Sequence, residues 1–248
     1  MRRSIQTFCL TAAVLAMAGT AGATLTPIGT ATYGGAQYSL IWDDDNNGNS
    51  IVWLDYSAPQ AYWEDQLDWA AGLDAQLTYN LDPAYTVTWN DSAWRLPDAG
   101  AAPSYGCLDT TTQEMAHLYY QELGLTGGSS NDGVTPPDLS GCVFDNLTLS
   151  PYWTRTEEDP LFSTEPVWMF AFRTTRSAPY YDTVFGFQDI DATAGSFWGI
   201  PLAMKHYGIA VRGADVQGGQ PPIPEPVTMA GLMLGVGGLL GYVRRRRR

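Results

Sequence analysis

Tyr38-Ser39-Leu40-Ile41-Trp42-Asp43-Asp44-Asp45-Asn46-Asn47-Gly48-Asn49-Ser50-Ile51-Val52-Trp53-Leu54-Asp55 decides how this chain folds: two β-prone apolar runs, 38–42 and 51–54, flank an acidic turn, 43–49, rich in Asp, Asn and Gly. The pattern predicts a hairpin, with the domain opening on two strands. The same turn has a metal-binding look. Asp43-x-Asp45-x-Asn47-Gly48 matches the first half of a calcium loop, where oxygen ligands alternate and glycine permits the bend. The second half is missing, because the twelfth position is Leu54 and Asp55 comes one place late, so the segment is not an EF-hand. Two readings stay open: a looser calcium-bound turn held by Asp43, Asp45 and Asn47, or an Asx-rich hairpin that faces water.

Downstream, residues 62–75 set Trp63, Leu67 and Ala70 on one helical row with Trp69 and Leu73 beside it, and Ser57 with Gln60 has capping-box spacing. A second helix is predicted where Thr111 and Glu114 repeat that spacing, Met115, Leu118 and Tyr119 make the apolar row, and Gly124 supplies the stop. After Pro151 the chain turns to short β-rich pieces at 152–156, 167–173, 183–187 and 208–211, separated by Pro, Gly and Asp. Two helices followed by a strand-rich half predict an α+β domain rather than an alternating α/β one.

Both ends carry addresses. Arg2 and Arg3 precede an apolar stretch, 8–18, and Ala21-Gly22-Ala23 offers the small residues that signal peptidase needs, so residues 1–23 read as a leader and Thr24 as the mature start. At the other end Pro224-Glu225-Pro226 is followed by seventeen uncharged residues, 227–243, and by Arg244, Arg245, Arg246, Arg247 and Arg248. As a helix the apolar run is about 26 Å long, at the short limit for a transmembrane span, and the arginines favour the cytoplasmic side. This tail resembles the PEP-CTERM sorting signal, residues 224–248, which implies processing by an exosortase and delivery from an inner-membrane-anchored precursor to the cell surface or the extracellular matrix. A plain tail anchor is the alternative. Residues 24–216 form the body and 217–223 a linker.

From Thr24 to Glu225 the 26 acidic residues face six basic ones (Arg95, Arg155, Arg173, Arg176, Lys205 and Arg212), a net charge of −20. So acidic a surface repels phosphate backbones and excludes nucleic acid as a partner. Nine Trp and fourteen Tyr argue for a packed core instead of disorder. Cys107 and Cys142 are an even pair in an exported chain and predict a disulfide, which in the chain-entropy model stabilises by about 3–4 kcal/mol.

Trp94-Arg95-Leu96-Pro97, then a helix, then Tyr152-Trp153-Thr154-Arg155-Thr156-Glu157, Val167-Trp168-Met169-Phe170-Ala171-Phe172 and Ala210-Val211-Arg212 follow one another in an order that resembles the Lcl C-terminal-domain family. The resemblance implies a C-type-lectin-like α+β fold and a surface protein that adheres to glycans. Residues 98–107 and 127–143 look like insertions, and Thr154-Arg155 departs from that family's serine pair. Physically, Trp94 and Leu96 suit the buried face of a strand while Arg95 on the other face suits a carboxylate.

Enzyme signatures are absent: no G-x-S-x-G elbow, no His-Glu-x-x-His and no phosphate-binding glycine loop occur, so a non-enzymatic binder is expected. Two alternatives are a structural matrix component without a small ligand, and an oxidase of the formylglycine-generating type using the two cysteines. Glu114-x-x-His117 has the spacing of a helical metal-ligand pair, yet a single copy leaves it incomplete and favours a solvated or locally bonded His117. Calcium is therefore the one cofactor considered. Tyr105, Tyr180, Tyr181 and Trp198 stand in loop-like sequence and are the candidates for stacking on extracellular polysaccharide.

Overall fold

The computed structural model describes residues 24–106, 112–158, 166–175, 182–192, 196–197, 200–201 and 204–218. The leader, the sorting residues Pro224, Glu225, Pro226 and Arg244 to Arg248, the apolar run 227–243, and Cys107, Tyr180, Tyr181 and Trp198 lie outside them.

Strands β1 (Leu25–Tyr33), β2 (Ala36–Asn46) and β3 (Asn49–Ala61) form an antiparallel meander. Helix α1 (Trp63–Ala71) follows, then β4 (Thr78–Leu81), which returns to pair with β1, and β5 (Tyr85–Trp89). Helix α2 (Glu114–His117) makes one α turn and continues as a π turn, Leu118–Glu122. Strands β6 (Gly128–Ser129), β7 (Pro151–Glu157), β8 (Pro166–Thr175) and β9 (Thr183–Ala192), a small hairpin of β10 (Ser196–Phe197) and β11 (Ile200–Pro201), and β12 (His206–Gly218) complete the order.

One ten-stranded sheet runs β4-β1-β2-β3-β12-β7-β8-β9-β6, with β5 on the far part of β12. The last strand joins the two halves. Its residues from His206 to Gly213 pair antiparallel with β3, residues from Ala214 to Gly218 pair with β5, and Tyr207 meets Tyr152 of β7 in the one parallel step among the described residues. Gln217 and Gly218, expected to open a linker, are thus the end of a strand.

The α+β, C-type-lectin-like expectation is overturned: the chain is plainly β-rich, with strands drawn from both ends and two short helices. Among the described residues no helix is long and apolar enough to cross a membrane. The sequence reading counted two opening strands and missed β1, β4 and β5. β1 contains Pro27 and a register shift between Pro27 and Gly29, so it lacks a clean alternation.

Burial on both faces of the sheet explains the continuous apolar runs in β3 and β8. Val52 and Leu54 face a core with Trp63, Ala70, Leu73, Trp94, Leu96 and Trp153; Ile51 and Trp53 face a second core with Met115, Leu118, Tyr119 and Phe144. Val167, Met169 and Ala171 against Phe170 and Phe172 divide β8 in the same way. Trp53, Trp94, Trp153 and Trp168 are the largest fully buried side chains, and truncating one to alanine costs about 3–5 kcal/mol.

The first helix stops at Ala71, short of Leu73 in its apolar row, and the second gives up α spacing after His117. The Ser57–Gln60 capping box does not form, because both residues lie in β3 and α1 starts without a side-chain cap. Ser57 Oγ instead donates to the Asn146 carbonyl at 2.6 Å and meets the Tyr152 hydroxyl at 2.7 Å. In the second helix Met115, Leu118 and Tyr119 are buried and Gly124 adopts φ +60°, the left-handed conformation of a helix stop. Its Glu114, however, caps nothing and pairs with an arginine. The hairpin turn is tighter than its acidic stretch: only Asn47 (φ 54°) and Gly48 (φ 77°) lie between the strands, and both are left-handed, as a two-residue type I′ turn requires.

Candidate functional site

Two sites meet at the start of α2. The first is buried. A register shift between Asp43 and Asn46 near the end of β2 puts these two residues, rather than Asp43 and Asp45, on the inner face. Asp43 and Asn46 are fully buried. Asp43 Oδ2 accepts from Asn46 Nδ2 at 2.8 Å and from Trp53 Nε1 at 3.1 Å, and Asn46 Nδ2 also donates to the Glu114 carbonyl at 3.3 Å. Opposite them, the π turn brings Glu122 back toward His117, with Nε2 to Oε1 at 3.2 Å. The turn is closed by the five-residue hydrogen bond from Leu123 N to the Leu118 carbonyl at 2.9 Å. Such turns replace α-helical spacing and recur at functional sites.

Asp43, His117 and Glu122 each offer a ligand atom within 4.8 Å of the others. Asp43 Oδ1, Asn46 Oδ1 and His117 Nδ1 are buried with no hydrogen-bond partner. Burial, followed by the negative charges of Asp43, Asp44 and Asp45, pushes the Glu122 carboxyl up to about 7. Burial likewise raises the Asp43 carboxyl, against hydrogen bonds from Asn46 and Trp53 that favour its anion.

The second site is an open cleft of about 690 Å³ between the β2–β3 turn, the segment after β5 and the exposed face of β7. The Arg95 guanidinium clamps Glu114 through Nη1 to Oε2 at 2.8 Å and Nη2 to Oε1 at 2.7 Å, and reaches Asp91 at 3.3 Å. Glu114 Oε2 also accepts from Asp98 N at 2.7 Å. Burial lowers the Arg95 pKa, but the Glu114 contact outweighs it and the guanidinium is held more firmly charged than usual. Asp98 is held by Arg155 Nη2 at 2.7 Å, the Thr156 hydroxyl at 2.9 Å and Gly100 N at 2.8 Å. Burial works against its anion, yet these donors keep its carboxyl below the ordinary range. Asn47, Asn49 and Thr112 complete the polar wall.

The residues singled out from sequence are redistributed. Asp43 is buried while Asp45 and Asn47 are exposed, so the three oxygen donors of the expected calcium turn do not share a face; Asp45 Oδ1 accepts from Gly48 N at 2.8 Å. His117 and Asp43, read as parts of two separate metal patterns, lie in one cluster, and Glu114 belongs to the cleft. Glu122 and Asn46 were not found by sequence reasoning, since no spacing rule announces a π turn or a bulge. Cys142 is a free, half-buried thiol whose Sγ donates to the Phe144 carbonyl at 3.1 Å, and burial raises its pKa. Tyr105 is 53% exposed and its ring lies 4.9 Å from that of Trp168. Arg95 takes the carboxylate that the alternation in Trp94-Arg95-Leu96 asks for.

Comparison of the chain with protein-family models, with curated proteins and with solved structures finds no match in any of the three.

Proposed function

We propose that this chain is an exported, non-enzymatic protein of the cell surface or extracellular matrix that binds neutral, hydroxyl-rich polysaccharide in the Arg95–Arg155 cleft. The observation that carries the reading is the cleft itself: an open cavity of about 690 Å³ walled by amides, hydroxyls, carboxylates and two of the six basic residues between leader and tail. Sugar hydroxyls are recognised by such fixed donor and acceptor pairs, often beside an aromatic ring. Arg155 is the accessible member, its side chain 45% exposed while Asp98 orients it. Tyr105, which packs on Trp168 and is not part of the cleft lining, offers a separate exposed ring of the kind that stacks on a sugar face. The net charge of −20 disfavours anionic polymers and so points to uncharged ones. Export is supported by the leader at 1–23 and by the Pro224-Glu225-Pro226 tail with its arginine cluster; signal peptidase and an exosortase are the processing partners.

Binding of the full chain to a panel of neutral and uronate-containing polysaccharides, followed by titration calorimetry, tests the reading. Neutral glycans bind, and Arg155→Ala weakens binding about tenfold, the loss of one charge-assisted hydrogen bond of roughly 1.4 kcal/mol. Absence of signal across the panel removes the glycan reading and leaves a structural matrix component.

A further inference from the structure

We propose that Asp43, His117 and Glu122 form a binding site for one divalent transition-metal ion of the zinc class, clamping β2 to the π turn after α2. The inference is independent of the glycan reading and of the calcium pattern in the sequence.

Three observations converge. The donors are gathered: one imidazole and two carboxylates, with ligand atoms within 4.8 Å of one another, side-chain exposures of 8% for His117 and 2% for Glu122, and Asp43 fully buried. In a tetrahedral zinc site with bonds of about 2.0–2.1 Å, neighbouring ligand atoms sit about 3.3 Å apart; the 3.2 Å between His117 Nε2 and Glu122 Oε1 already meets that spacing. The donors also carry unmet demand. A proton shared between His117 and Glu122 accounts for their own contact but leaves Asp43 Oδ1 buried with no partner, and a buried acceptor without a partner costs about 1–3 kcal/mol. A cation satisfies all three groups at once. Finally, the Asp43 carboxylate is already fixed in place, because Trp53 Nε1 and Asn46 Nδ2 donate to Oδ2 and leave Oδ1 without a protein partner.

Charge leads to the same answer. Among the described residues no arginine or lysine pairs with Asp43 or Glu122, whereas Arg95 is committed to Glu114 and Asp91. A divalent ion with two carboxylates and a neutral imidazole makes a neutral set suited to the interior. The nitrogen donor and the low ligand number favour zinc-like ions over calcium, which takes six to eight oxygens. Glu122 also borders a second cavity of about 520 Å³, shared with Asp138, Ser140 and Cys142, so the cluster lies next to open space on that side.

The test uses the full chain. Protein stripped with a chelator is titrated separately with zinc and calcium, reading stoichiometry by elemental analysis, affinity by calorimetry and Tm by circular dichroism. One equivalent of zinc binds and raises Tm. Glu122→Gln and His117→Gln, both of similar shape to the native residue and checked for folding by circular dichroism, each weaken zinc binding about 100-fold or more, since even outer-shell changes cost 10–100-fold. In the cobalt-loaded chain the tetrahedral visible bands are lost in His117→Gln. Failure of the wild-type chain to bind stoichiometric zinc overturns the proposal, as does unchanged affinity in both folded variants. Loss of zinc in Cys142→Ser but not in His117→Gln overturns it too, as does binding of calcium in place of zinc.

Discussion

The cleft and the buried cluster flank the same residue, Glu114, yet they treat carboxylates in opposite ways. In the cleft every acid has a cation within reach: Arg95 for Glu114 and Asp91, Arg155 for Asp98. In the cluster Asp43 and Glu122 face each other across His117 with no such partner among the described residues. Their ionisation diverges accordingly, with Asp98 held below its ordinary value and Glu122 raised to about 7. With 26 acids and six bases from Thr24 to Glu225, cations cannot neutralise every buried carboxylate, and Arg95 and Arg155 both lie at the cleft. The unmatched side is where protons or a metal ion must do the neutralising.

The largest effect that breaks this contrast is Arg95→Ala. Its side chain is 19% exposed and that of Glu114 10%, so the variant strands a nearly buried anion and costs about 3 kcal/mol in denaturant unfolding. Arg95→Ala with Glu114→Ala recovers part of that loss, because no lone charge remains. A double variant no more stable than Arg95→Ala alone shows that the pair's value lies in packing.

The next effect is in pH dependence. Glu122 in the folded, metal-free chain has a value raised from 4.5 to about 7. Below pH 4.5 it is protonated in both folded and unfolded states; as pH rises toward 7 the unfolded state ionises first, so stability falls across that window. The loss is about 2 kcal/mol after allowance for screening by water, and Glu122→Gln abolishes it. Asp98 has the opposite sign: its folded value lies below 3.8, so its contribution is present above that pH and disappears as pH falls through the lowered value. Denaturant midpoints from pH 3 to 8 for wild type, Glu122→Gln and Asp98→Asn separate the two slopes. A Glu122→Gln chain that keeps the decline from pH 4.5 to 7 sinks the assignment to this carboxyl.

The smallest effect sharpens the comparison at the surface. Arg155 and Asp98 form a half-exposed pair, so Arg155→Ala lowers stability by no more than about 1 kcal/mol, whatever its effect on the proposed glycan binding. A larger loss in thermal unfolding makes Arg155 a structural residue like Arg95.

How much of this was legible before folding differs by region. The hairpin, the apolar row Met115, Leu118, Tyr119, the stop at Gly124 and the outward Arg95 were readable because each depends on a few neighbouring residues. The fold class was misread because the apolar run in β3 borders a helix-like row, and the pairing that makes the chain a single sheet joins β12 to β3 across most of the sequence. The cleft was half visible: Arg95 stood out, but Glu114 looked like a helix cap, since the spacing of a capping box and that of a residue answering a distant arginine are identical along the chain.

By itself the sequence determined the acidic balance, a hairpin turn within 43–49 and the alternation that sends Trp94 and Leu96 inward and Arg95 outward, all of them properties of local order and charge. Only the tertiary structure decided which strands share a sheet, that Asp43 turns in while Asp45 turns out, and that His117 and Glu122 meet it. The physical reason is that a bulge and a π turn each displace the chain by one residue, and a one-residue shift moves a side chain from solvent to core without leaving a mark in the spacing of the sequence.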